Sequence, residues 1–349
     1  MSRADRFLNA CRRQPVDATP VWLMRQAGRY MQAYRDLRAK YKILELIKAP
    51  ELAAEVTLQP INAFDLDAAI VFADILPILE PMGLQLEFVK GDGPIIHNPV
   101  RCAADIANLQ TPHAAEALQF TIEAVRLSVS ELNGKVPLIG FSGAPFTVAT
   151  YAIEGGASKN FLHVKGLMHE SPQDWHALQE KLAVMIADYL CAQIEAGADA
   201  VQLFDSWIGI LSPTDYRSFA MPHTQRVIDT VKAQHPDTPL ILFGTGCAGL
   251  LSIFKTLGPD VIGIDWRLDL AETWDTLGDV AVQGNLDPII LTTTPDTVRE
   301  HAGRILGSVS GRTGHIFNVG HGIVPQTPEE NVALLVDFVH QHTSVSCPE

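Results

Sequence analysis

Ala68-Ala-Ile-Val-Phe-Ala73 is six apolar residues in a row, with no position suited to water, and it halts on Asp74. A strand with one wet face alternates with period two; a run apolar throughout is buried on both faces, as in a parallel sheet covered by helices. Seven further short runs rich in Val, Ile, Leu and Phe behave the same way: Val21–Met24, Pro137–Phe141, Ala200–Phe204, Leu240–Phe243, Val261–Ile264, Val280–Gln283 and His315–Val319. Between them lie segments with apolar residues three and four apart, which predict helices over Ala104–Asn133, Gln173–Ala196, Pro213–Gln234, Thr294–Leu306 and Pro328–His340. Eight βα units predict an α/β fold, a TIM (β/α)8 barrel, as a single domain over residues 1–349 with short N- and C-terminal extensions. A doubly wound sheet is the alternative, but it calls for fewer strands or a second domain, and no Ser/Pro/Gly-rich linker divides the chain.

In such a barrel the C-terminal ends of the strands share one face, the face that carries active sites. The polar residues at those ends are Arg25, Asp74, Ser142, Asp205 with Ser206, Thr245, Asp265, Asn285 with Asp287, and His321. Asp74 interrupts the most apolar run of the chain, so a partner must hydrogen-bond it, either a ligand or a neighbouring backbone turn that it caps. His321 sits between Gly320 and Gly322, which let a ligand approach closely; an ordinary loop histidine fits the same pattern.

From Arg25 to Lys42 the chain carries six basic residues (Arg25, Arg29, Arg35, Arg38, Lys40, Lys42) against one acid, Asp36, although its formal net charge is -14. A basic island in an acidic chain suggests a small polyanion rather than nucleic acid, which the remaining surface would repel. The competing reading is a solvated helix face. With 47% hydrophobic and 19% charged residues the composition is globular, and no apolar run reaches the roughly 18 residues of a membrane span. The N-terminus lacks a signal-peptide core and the five cysteines are far apart, so a cytoplasmic protein with reduced thiols and no membrane association is expected. There is no CxxC and no HExxH, so no metal site is expected. Gly244-Thr-Gly-Cys-Ala-Gly249 matches the dinucleotide fingerprint, but on the fifth βα unit it reads better as a tight turn with close helix packing; Gly155-Gly156 with Ser158-Lys159 reads as a turn.

Pro20-Val-Trp-Leu-Met-Arg-Gln-Ala-Gly-Arg-Tyr30 strongly resembles the N-terminal signature of the uroporphyrinogen decarboxylase family. Further matching motifs are Leu66–Leu76, Gly140–Thr147, Thr150–Gly156, Gln283–Pro288 and Asn318–Ile323, spread over nearly the whole chain. The resemblance implies a TIM-barrel homodimer that converts uroporphyrinogen III to coproporphyrinogen III and carbon dioxide, turning four acetates into methyls in haem biosynthesis. It implies no metal or organic cofactor, and a small-molecule tetrapyrrole as partner. It also implies substrate binding by Arg25, Gln26, Ala27, Gly28, Arg29, Arg38, Asp74, Tyr151, Ser206 and His321, with Asp74 and Arg25 catalytic. A corrinoid-linked methyltransferase would need a His-x-Cys zinc motif, and no histidine stands two residues before Cys247. A non-enzymatic tetrapyrrole carrier would have no use for Asp74.

Overall fold

The computed structural model describes residues 1–89 and 93–344. Seven parallel strands form one curled sheet in the order β1 (Ala69–Ile70), β4 (Leu138–Gly143), β5 (Ala200–Asp205), β6 (Leu240–Gly244), β7 (Val261–Gly263), β8 (Ala281–Gln283) and β9 (His315–Ile316), with a separate antiparallel pair, β2 (Leu86–Val89) and β3 (Gly93–Ile96). The barrel strands pair in sequence order, and helices run between them over the outside.

The eighth stave is the predicted run Val21–Met24, and it is not a regular strand. It forms a single bridge, Val21 to Phe317, yet it closes the ring from both sides: Phe317 N–H donates to Pro20 O at 2.8 Å and Asp67 N–H to Val21 O at 2.8 Å. Side chains replace the rest of its ladder. Leu23 N–H donates to Gln26 Oε1 and Met24 N–H to Asn318 Oδ1, so its donors are satisfied without a strand partner.

A polar relay crosses the largely apolar barrel interior. Trp22 Nε1 donates to Gln283 Oε1 at 2.9 Å, and Gln283 Nε2 to Gln202 Oε1 at 3.1 Å, with all three side chains buried. Pairing these groups with each other satisfies them where water cannot. At the opposite end from the cleft, the N-terminal helix Arg3–Cys11 buries Phe7, Ala10 and Cys11. Arg6 reaches Asp67, Arg12 donates to Asp237 O, and Arg13 pairs with Asp279, so the predicted N-terminal extension forms the barrel floor.

Two predicted helices are broken. Ala104–Asn133 is three pieces, Ala103–Asn108, Ala114–Ala117 and Gln119–Leu132, because Thr111-Pro112 disfavours helix across the middle. Pro213–Gln234 holds a π-helical turn at Tyr216–Ala220 before Met221–Gln234; Pro222 has no N–H to return to the preceding turn, which widens there. Gln173–Ala196, Thr294–Leu306 and Pro328–His340 correspond to Pro172–Glu195, Pro295–Ser308 and Glu329–Thr343.

Candidate active site

The cleft is built at the C-terminal mouth from the segment that follows the eighth stave. After Met24 the chain turns sharply, with Arg25 in the left-handed region at φ 62°. That conformation costs a non-glycine residue on the order of 1 kcal/mol and persists only where surroundings enforce it. They do: Gln26 N–H donates to Leu23 O, Ile323 N–H to Met24 O, and Tyr30 Oη to Gln26 O at 2.6 Å. A Cβ at Gly322 would fall inside van der Waals contact of the Arg25 side chain, so this glycine makes room for it.

Arg25 and Arg29 are exposed to the mouth, and none of the six basic residues of the island pairs with a carboxylate among the described residues. They are not equivalent. Arg35 donates to Arg29 O, Tyr30 O and Gln32 Oε1, which fixes the turn. Arg38 donates to Tyr41 O at the end of its own helix, Gln32–Lys40. The free guanidinium forks are therefore Arg25 and Arg29. Gln26 is fully buried, with Nε2 on Ala68 O, its N–H on Leu23 O and its carbonyl on Tyr30 Oη, so it holds the stave to β1 and leaves Ala27 and Gly28, half-buried, as the part of the turn nearer solvent.

Asp74 lies half-buried just beyond β1. Its Oδ1 accepts the Leu76 N–H at 3.0 Å, which is the turn cap expected on structural grounds, while no hydrogen bond reaches Oδ2 among the described residues. Burial raises its pKa above the ordinary carboxylate value; the Leu76 N–H, Arg25 and the Ile75 N–H oppose this only in part. Asp74 is thus a carboxylate short of donors, facing a cleft rimmed by cations.

Tyr151, on the helix Pro145–Glu154, feels both charges. Burial pushes its phenol up, the Trp207 side chain and Arg25 ease it, and Asp74 adds to it, so the hydroxyl stays protonated near neutral pH. Its ring packs edge-on against Trp207 at 6.1 Å. Ser206 follows β5, half-buried, with its carbonyl accepting from the Thr245 hydroxyl. His321 has its pKa lowered to about 4, first by burial and then by Arg25 and Arg267, so its ring is neutral near pH 7 and can donate one N–H.

Other strand-end polar residues turn away from the cleft. Ser142 Oγ is buried on Gly143 O; Asn285 holds the carbonyls of Asp265 and Leu268; Asp287 caps the short helix Pro288–Thr292. Asp205 is fully buried and accepts from Thr147 Oγ1 at 2.7 Å. Asp265 is 3% exposed and accepts from Gly246 N–H and from Arg267. The glycines of 244–249 serve a tight turn: Gly246 has φ 64°, and a Cβ on Gly244 would press on Ile208 and Phe254. Burial pushes the Cys247 thiol up to about 12, the reverse of a poised metal ligand. Cys347 lies outside the described residues.

Sequence reasoning passed over Tyr34, Trp207, Trp266 and Arg267. Tyr34 is buried against Phe72, in the field of Arg38, Arg29 and Asp74. Trp207 and Trp266 directly follow the strand ends Ser206 and Asp265, and that adjacency was the available signal.

The uroporphyrinogen decarboxylase (URO-D) family profile matches residues 2–342. A uroporphyrinogen decarboxylase of Chloroflexus aggregans is 56% identical over 341 residues, covering 97% of this chain and 96% of that one. One from Roseiflexus sp. strain RS-1 is 55% identical over 343 residues, covering 97% and 99%. Among solved structures, a methyltransferase from Methanosarcina mazei superposes with a TM-score of 0.80 at 22% identity, covering 98% of this chain and 99% of that one, which is a likeness of fold.

Proposed function

The chain belongs to the uroporphyrinogen decarboxylase family, and from that premise we propose how its cleft removes the four acetate carboxyls of uroporphyrinogen as carbon dioxide, leaving methyl groups, in haem biosynthesis. The observation that carries the mechanism is Asp74: a carboxylate with one oxygen on a backbone N–H and the other without a partner among the described residues, in the field of Arg25.

Decarboxylation needs somewhere for the electrons of the breaking C–C bond to go. Protonation of a pyrrole carbon beside the acetate makes the ring a cation that accepts them as carbon dioxide leaves. The exocyclic methylene then takes a proton to become methyl, and the ring proton is lost. One proton is consumed per acetate, and the pyrrole itself is the sink. The four pyrrole N–H groups of the macrocycle supply the donors that Asp74 lacks. One carboxylate beneath them binds the ring, restores its own ionised form and stabilises the developing cation, an effect concentrated in the transition state.

Arg25 grips the reacting acetate as a planar fork, and its enforced backbone conformation fixes that grip before substrate arrives. Arg29 takes another acidic arm, and neutral His321 donates to a further carboxylate. Tyr151 and Ser206 position the macrocycle through hydroxyl hydrogen bonds. Arg38, engaged at Tyr41 O, contributes positive field near Tyr34.

Anaerobic incubation of metal-stripped protein with uroporphyrinogen, then oxidation and chromatography, tests this. Stepwise conversion from eight carboxyls to four supports it; tight binding with all eight retained points instead to a carrier. The cytoplasmic homodimer implied by the family resemblance belongs to the same proposal. Sedimentation giving twice the chain mass supports the dimer, and a monomer mass at all micromolar concentrations overturns it. No helix among the described residues is long and apolar enough to cross a membrane.

A further inference from the structure

Beyond β7, one cation of the mouth has no part in the mechanism above. Arg267 is 53% exposed, yet it is held on two sides. Its guanidinium lies over the Trp266 ring at 3.9 Å, and its Nη1 donates to Asp265 Oδ2 at 3.0 Å. The Trp266 ring in turn packs edge-on against His321 at 6.0 Å. A Cβ on Gly320 would collide with the backbone of Trp266, just as one on Gly322 would collide with Arg25. Two glycines on either side of His321 therefore press Arg25 and the Trp266-Arg267 pair against the same short segment.

The simplest role for Arg267 is counterion to Asp265. That role needs no such arrangement. Asp265 already accepts the backbone N–H groups of Gly246 and Arg267, and an ion pair with a half-exposed arginine adds little. The guanidinium carries five N–H donors, of which one is engaged on Asp265 among the described residues, and the side chain is half-exposed. A fork immobilised on an aromatic face loses little entropy on binding a carboxylate, and stacking is a service lysine cannot give.

We propose that Arg267 is a further substrate-binding residue, holding a carboxylate-bearing arm of the tetrapyrrole on the side of His321 away from Arg25. This rests on the functional reading above. The arm is an acetate or a propionate, which share the carboxylate.

Steady-state kinetics of Arg267→Ala and Arg267→Lys test it. Arg267→Ala is expected to raise KM for uroporphyrinogen about tenfold, the loss of one charged hydrogen-bonded contact, with kcat within about twofold and the melting temperature unchanged. Arg267→Lys recovers part of the loss, and raising salt weakens the wild type more steeply than the alanine variant. Inhibition by coproporphyrinogen, which keeps only the propionates, separates the arms: a weakened product constant assigns a propionate, an unchanged one an acetate. An unchanged KM for Arg267→Ala overturns the proposal, as does a fall in kcat that tracks a lowered melting temperature, which marks Arg267 as structural. If the unaltered protein neither binds nor converts uroporphyrinogen, the functional reading has failed, and this inference with it.

Discussion

Gly322 shows how little of the site resides in the residues that do chemistry. It presents no group to a ligand, but a methyl there occupies the space of the Arg25 side chain. Gly322→Ala is expected to displace that guanidinium and lower kcat/KM by about 10²-fold, the cost of misplacing a positioning group, while the melting temperature moves little; kinetics and a thermal melt on the same sample check it. The motif around Arg25 was legible as a place for an anion, since two exposed arginines in an acidic chain have few other uses. The individual roles were not. Gln26 stands in the same motif, yet its side chain ties Leu23 to Ala68, and Arg38 is engaged on Tyr41 O. Both are decided by where a side chain points after a turn, which spacing does not encode.

The end of β5 shows the same limit at the scale of an element. Asp205 and Ser206 are adjacent, yet Asp205, the last strand residue, is fully buried, while Ser206, in the turn after it, is half-buried. Asp205 meets Thr147 on the helix Pro145–Glu154, its Oδ2 has no partner among the described residues, and burial raises its pKa to about 7. The folded value lies above the unfolded one, so the folded state holds the proton longer, and stability falls as pH rises from about 4 to 7, by up to roughly 4 kcal/mol. Asp205→Asn keeps the shape without the charge. Denaturant titration is expected to find it more stable than wild type at pH 8 and nearly equal at pH 4.5; equal stability at both would contradict a protonated, desolvated Asp205. Apolar runs located all eight staves, and helical spacing located the helical segments but not the breaks within Ala104–Asn133 and Pro213–Gln234. Two features escaped. The β2–β3 pair showed alternation at Leu84, Leu86 and Phe88, a weaker signal than the buried strands beside it. Val21–Met24 reads as a strand, and side chains of Gln26 and Asn318 replace its ladder.

Across the whole molecule, Asp67 ties the two ends of the chain to the barrel. It is fully buried and accepts Arg6 Nη1 at 2.8 Å, the Val21 N–H at 2.7 Å and His340 Nε2 at 2.7 Å, joining the N-terminal helix, the eighth stave and the last helix. Removing one partner of a buried ion pair strands the other. Asp67→Ala is therefore expected to cost about 3–5 kcal/mol, read by denaturant unfolding, with kcat of the surviving folded protein close to wild type because the site lies at the opposite mouth.

In the mechanism proposed above, the same architecture would set an N-terminal arginine turn, a carboxylate after β1 and a histidine after β9 around one fourfold pyrrole donor set. Its central claim is that Asp74 acts on the transition state more than on the bound substrate. The most direct test compares Asp74→Asn with wild type in two measurements, the equilibrium dissociation constant for uroporphyrinogen under anaerobic conditions and the single-turnover rate of the first decarboxylation. Asparagine keeps the cap on the Leu76 N–H, so the fold is retained. The account predicts a rate loss of at least about 10²-fold, well in excess of the weakening in binding. Equal losses in rate and affinity, or no loss in rate, would contradict it.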